Sequence, residues 1–219
     1  MQLSTLKTVI LALLLMPAAL LAQTNVATVA DLQRDWAIAN YEVSGDAQVA
    51  AFEALIEHAD QAVANHPGSA EVLIWNGIIK SSYAGAKGGL GALSLAKAAR
   101  KSLEEEMKVD DEALNGSAYA SLGTLYSKVP GWPVGFGSDK KAVQLLEKAI
   151  EINPDGIDSN YFYADFLLQK KEYEKAEQYL LKAQNAAPRP DRAVADAGRQ
   201  QEILAALTLA REKLHRSGS

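Results

Sequence analysis

The feature that most constrains this chain is self-similarity at a period of about 34 residues. In its clearest form, Ile157 to Pro190, the unit carries Tyr163-Ala164, Leu167, Ala176, Leu180, Ala183 and Pro188. Two antiparallel helices approach closely only where small side chains face each other, here Ala164 and Ala176, with larger apolar groups filling around them. Lys170-Lys171-Glu172 supplies the polar turn between them. A helix pair of this kind cannot bury its apolar face alone, so the pattern calls for stacked neighbours.

Those neighbours are legible upstream. Tyr119, Leu122-Gly123 and Tyr126 mark a first helix, and Ala142, Leu146, Ala149 and Pro154 its second. Leu73 and Asn76-Gly77 mark an earlier first helix, matched by Ala99, Leu103 and Val109-Asp110-Asp111. A degenerate pair comes before it, over 29–41 and 50–65, with Ala59, Ala62 and Pro67 in phase. After the last unit, 193–214 places Ile203, Leu204, Leu207 and Leu214 at helical spacing, as a terminal helix needs to cover an open apolar face. Strand signals are nearly absent. The expectation is an all-α fold: a right-handed α-solenoid of three to four helix pairs, over 29–69, 70–113, 116–156 and 157–190, with a C-terminal capping helix.

The amino-terminal stretch reads as an address. Lys7 precedes an apolar run from Val9 to Met16, then Pro17 and a path to Ala22. The run is too short to span a bilayer and Pro17 interrupts it, so residues 1–22 are expected to be a signal peptide and 23–219 one exported domain, periplasmic in a Gram-negative source. No stable membrane insertion is expected after its removal. With no cysteine, disulfide scaffolds, thiolate metal sites and cysteine nucleophiles are excluded. A formal charge of -5 argues against nucleic-acid binding, which needs clustered Lys and Arg.

In the 157–190 unit the facing small residues are 12 apart, whereas Gly123 to Ala142 is 19 and Gly77 to Ala99 is 22. The extra residues fall in two glycine-rich segments, Tyr83 to Gly91 and Val129 to Asp139. Stacked repeats keep their inter-helix turns on one edge, so both segments are expected as neighbouring loops. Tyr83, Lys87, Trp132 and Phe136 then become candidate contacts for a partner or ligand. The alternative is that the aromatic residues bury against the solenoid and staple the loops down.

Several patterns are read as structural. The glycine-rich segment at 85–91 lacks the G-K-S/T ending of a phosphate loop. Ser138-Asp139-Lys140-Lys141 matches S-x-x-K without its S-D-N and K-T-G partners and serves better as a helix cap. His58, His66 and His215 have no zinc-binding spacing. Glu104-Glu105-Glu106 with Lys108 reads as a solvated helix face. No catalytic constellation and no cofactor motif is found.

The quoted residues resemble the tetratricopeptide-repeat family, whose first-helix signature W-x2-L-G-x2-Y is met by Tyr119, Leu122-Gly123 and Tyr126 with Tyr for Trp. Gly137-Ser138-Asp139-Lys140-Lys141-Ala142, at the start of a second helix, is similar to a feature of the periplasmic component associated with TRAP transporters. The family resemblance implies a non-enzymatic scaffold with a concave groove lined by first-helix residues. Those include Trp75, Ile78, Thr124, Lys128, Tyr161 and Asp165. A groove clamping a carboxylate terminus needs several Lys, Arg and Asn, and Lys128 alone qualifies. The leading expectation is therefore a module that binds another envelope protein or peptide. The alternative is a periplasmic carrier of a small hydrophobic ligand or a TRAP-associated binding component, favoured if the groove proves enclosed.

Overall fold

Ala99, Ala142, Ala164 and Ala176 are fully buried, each where two helices meet. A Cβ added at Gly77 would meet Leu103, and one at Gly123 would meet Leu146. The small residues therefore set the spacing within the pairs. The computed structural model describes residues 18–217, and among them all regular structure is helical apart from an isolated bridge between Gly131 and Gly137. The pairs are α1 (Ala18–Tyr41) with α2 (Gly45–Asn65), α3 (Ala70–Lys87) with α4 (Gly89–Glu106), α5 (Ala113–Lys128) with α6 (Asp139–Ile152), and α7 (Ile157–Gln169) with α8 (Tyr173–Gln184). Helix α9 (Ala193–Ser217) follows. The fold is an all-α solenoid. The leader read at 1–22 lies, up to residue 17, outside the described residues, and none of the helices described is long and apolar enough to cross a membrane.

The core runs through the stack as three clusters of buried residues. Leu32, Phe52 and Val72 are buried at its start, Leu103, Leu122 and Leu146 in the middle, and Leu180, Ile203 and Leu207 at the end. Helix α9 covers the last pair and also reaches the first. Its Ala195 is buried in the opening cluster, and Gly198 lies beneath the Tyr41 ring, where a methyl group would collide. The Tyr41 hydroxyl donates to Glu202 at 3.3 Å. Docking of α9 on α1 joins the two ends of the solenoid, so the concave side is a partly enclosed chamber instead of an open groove.

The two glycine-rich segments behave differently, which corrects the expectation of paired loops. Residues 83–91 form no loop. Helices α3 and α4 are each 18 residues long, against 13 and 12 for α7 and α8, and only a tight turn separates them. The reason is burial: Tyr83 is 4% exposed, its ring stacked on Phe52, and its hydroxyl donates to Glu53 while Lys87 Nζ donates to it at 2.8 Å. These contacts hold α3 helical until Gly88-Gly89, whose φ values of 59° and 61° turn the chain as a residue with a side chain would not readily do. Residues 129–138 are a true loop.

One expectation about charge also fails. Glu106 is 0% exposed, with no partner for either carboxylate oxygen among the described residues, so it is not part of a solvated face. Burial, followed by the nearby Asp110, Asp111 and Glu71, raises its pKa to about 8. The folded protein thus keeps a proton that the unfolded chain releases near 4.5. Stability from this group is full below pH 4.5 and declines as pH rises through 8. Denaturant titrations from pH 5 to 9 are expected to show that decline, and Glu106→Gln is expected to flatten it.

Candidate functional site

Two surfaces carry the residues singled out above. The first is the chamber. Its volume is about 560 Å³, and it is walled by α1, α3, α5, α7 and α9. Trp36, Trp75, Ile78 and Phe162 give it an apolar side, while Ser81, Ser82, Ser117, Ser121 and Thr124 contribute hydroxyls. Trp36 packs edge-on against Trp75 and Tyr41, at ring distances of 5.6 and 5.7 Å, and its Nε1 donates to Ser82 at 2.8 Å. Leu114, Asn115 and Gly116 also line it, and all three have left-handed backbone, with φ of 47°, 56° and 70°. For Leu114 this costs about 1–2 kcal/mol. The kink places the α5 entrance at the chamber wall, with Gly116 close over Ile152.

The charged side of the chamber comes from the C-terminal segment. Asp158, in the first turn of α7, accepts from Arg189 at 2.7 Å and from Arg199 at 2.9 Å. Arg189 also pairs with Asp196, and Arg199 with Glu202. Burial by itself would raise Asp158, yet the Arg199 and Arg189 guanidiniums prevail and bring it down to about 2. Arg199 lies over the rings of Tyr161 and Phe162 at 4.4 and 4.5 Å. Arg192 differs from both of these arginines. It sits 4.9 Å over the Trp75 ring, and among the described residues its guanidinium has no ion-pair or hydrogen-bond partner.

The second surface is the loop between α5 and α6. Its ends are fixed: Gly137 N donates to Pro130 O at 2.9 Å, and Ser138 N donates to Tyr126 O at 2.9 Å. A side chain at Gly135 or Gly137 would strike the backbone of Pro130 or Val129. Phe136 is half-buried, edge-on to Tyr126 at 5.4 Å, with Arg100 over its ring at 4.5 Å. Ser138 caps α6 by accepting from Lys141 N. Trp132 projects at 90% exposure, next to the exposed Val134.

Among the residues selected from sequence, Trp75, Ile78 and Thr124 meet at the chamber. Tyr161 lies behind it, under Arg199. Lys128 and Asp165 pair with each other at 2.7 Å across α5 and α7. Tyr83 and Lys87 are engaged with Glu53, away from both surfaces. Phe136 staples the loop and Trp132 does not. The sequence reading missed Trp36 and the arginines, which lie outside the first-helix positions it considered.

A tetratricopeptide-repeat family profile matches residues 140–200, the region of α6 to the start of α9. The pairs upstream repeat the same contact of small residues. Over residues 140–200 the chain resembles the tetratricopeptide-repeat family. Two crystal structures of MamA are similar to it, one at 17% identity over 90% of this chain and 95% of that one, with a TM-score of 0.45. The other has 19% identity over 77% and 92%, with a TM-score of 0.44. No curated protein matches.

In this repeat protein Asp158 ties the last repeat to the segment that follows it. Asp158→Ala leaves Arg199, 7% exposed, with Glu202 as its remaining carboxylate, and is expected to destabilise by about 3 kcal/mol in urea unfolding at pH 7. Since the carboxyl is depressed from 3.8 to about 2, its contribution is present above pH 4 and lost as pH falls through 2. The wild-type and Ala variants are therefore expected to converge in stability toward pH 2.

Proposed function

We infer that this is a non-catalytic, exported tetratricopeptide-repeat scaffold that engages a partner protein of the cell envelope through the 129–138 loop. The observation that carries the reading is Trp132, a large apolar side chain held out to solvent by a loop fixed at both ends. Trp anchors of this kind dominate binding energy where they enter a partner's pocket, and a fixed loop loses little entropy on docking. The apolar leader at 9–16 and the Ala22 cleavage site support export.

The chamber favours a second reading, that of a small-ligand carrier. Its volume lies within the range of about 300–1,000 Å³ used for organic ligands, and its lining combines aromatic walls with a few placed polar groups. The two readings use different surfaces of the same protein.

Trp132→Ala is expected to leave the thermal midpoint unchanged and to reduce partner recovery about tenfold or more. Phe136→Ala instead is expected to lower stability by about 1–3 kcal/mol, because it removes the staple on Tyr126. The direct test is a photo-reactive amino acid at position 132 in intact cells. A discrete cross-linked protein, absent when the group stands at exposed Lys140, supports the scaffold; equal yields from both positions overturn it. Amino-terminal sequencing of the chain recovered from its own cells is expected to begin at Gln23, and an intact Met1 would refute export by cleavage.

A further inference from the structure

The charges around the chamber are unevenly satisfied. Arg189 and Arg199 are each held by two carboxylates, drawn from Asp158, Asp196 and Glu202. Arg192 has none among the described residues, although it also lines the chamber. Its Nε is buried without an acceptor, and so is Nε1 of Trp75, the ring beneath it, which is 3% exposed. Two buried donors are therefore left without acceptors on one wall. A guanidinium cannot relieve this by losing its proton at any ordinary pH, and burial, followed by the neighbouring Arg189, already disfavours its charge. The cost of such a group is recovered when an acceptor of opposite charge arrives.

We propose that the chamber binds a small organic monocarboxylate, with its carboxylate on the Arg192 guanidinium and its apolar body against Trp36, Ile78 and Phe162. This rests on the carrier reading of the chamber. The guanidinium fork matches two carboxylate oxygens in one plane. The pairing pattern selects a monoanion over a phosphate ester: Asp158, Asp196 and Glu202 are engaged by Arg189 and Arg199, so the Arg192 guanidinium is the one cation left to pair among the described residues lining the chamber, and it matches a single negative charge. Asp155, also on the lining, would repel the second charge of a dianion. The apolar side selects a ligand with a hydrocarbon body. Arg192 and Gln33 line a shallow outer groove of about 360 Å³ as well, which puts this guanidinium in the wall between chamber and exterior.

Calorimetric titration of the folded chain with octanoate, octan-1-ol and octyl phosphate tests this. Octanoate is expected to bind about tenfold or more tightly than either of the others, and Arg192→Gln is expected to remove that preference while leaving octan-1-ol binding unchanged. Arg192→Lys, which keeps the charge but not the fork, is expected to fall between them and serves if the Gln variant does not fold. Equal binding of octanoate and octan-1-ol overturns the carboxylate assignment and leaves the chamber reading standing. Tighter binding of octyl phosphate overturns the monoanion assignment. Binding of none of the three overturns both the assignment and the carrier reading. A peptide that binds as its free acid and not as its amide, where octanoate does not bind, overturns the assignment in favour of a chain terminus.

Discussion

The joining of this solenoid's two ends depends on one carboxylate placed between two arginines. Asp158 lies in the first turn of α7, Arg189 in the connection after α8, and Arg199 in α9, so their contacts fix the angle at which α9 leaves the last repeat. Arg199 passes the connection on to Glu202, and Glu202 receives the hydroxyl of Tyr41 at the end of α1. Bringing these groups out of water is expensive, and a buried ion network is weak evidence for stability. Its effect here is directional. Each arginine satisfies two acceptors in different elements, so α9 has one orientation in which the whole set is paired, and in that orientation Gly198 comes under the Tyr41 ring.

Closure changes what a repeat protein of this length can do. An open concave face offers a partner a long strip, whereas a closed one offers a volume. The strip positions on α3, α5 and α7 are still present, but Trp75 and Ile78 now face a shared interior, and the rim carries the Lys128–Asp165 pair. The left-handed turn at 114–116 belongs to the same economy of shape. It is a local cost at the chamber wall, held in place by the packing of Gly116 on Ile152. The loop after α5 stands outside this volume, on the outer edge.

The helix pairs were legible in sequence because their signal is local and repetitive: a small residue opposite a small residue, with a leucine one turn on. Ala164 with Ala176 and Gly77 with Ala99 both follow it. The glycine-rich run at 83–91 misled because its composition is that of a loop, while its fate is decided by Tyr83 finding Phe52 and Glu53 some 30 residues away. The buried state of Glu106 was hidden for the same kind of reason, since Glu104 and Glu105 before it and Lys108 after it disguise a helix face that turns inward. Chamber chemistry was the least legible part. Arg189, Arg192 and Arg199 sit in a stretch whose polarity suits any terminal helix, and only the docking of α9 on α1 reveals that two of them are paired and one is not.

The two insertions show how one composition serves opposite ends. In the second repeat the additional residues lengthen both helices, so Tyr83 gains a buried partner and Gly88-Gly89 returns the chain at once. In the third, Pro130 and Pro133 bar helix at the same place, since proline lacks the donor a helix interior requires. The chain must then cross from α5 to α6 outside the stack, and Phe136 folding back on Tyr126 fixes where it crosses. Because the neighbouring repeat spends its insertion inside the helices, no second loop stands beside this one to cover Trp132.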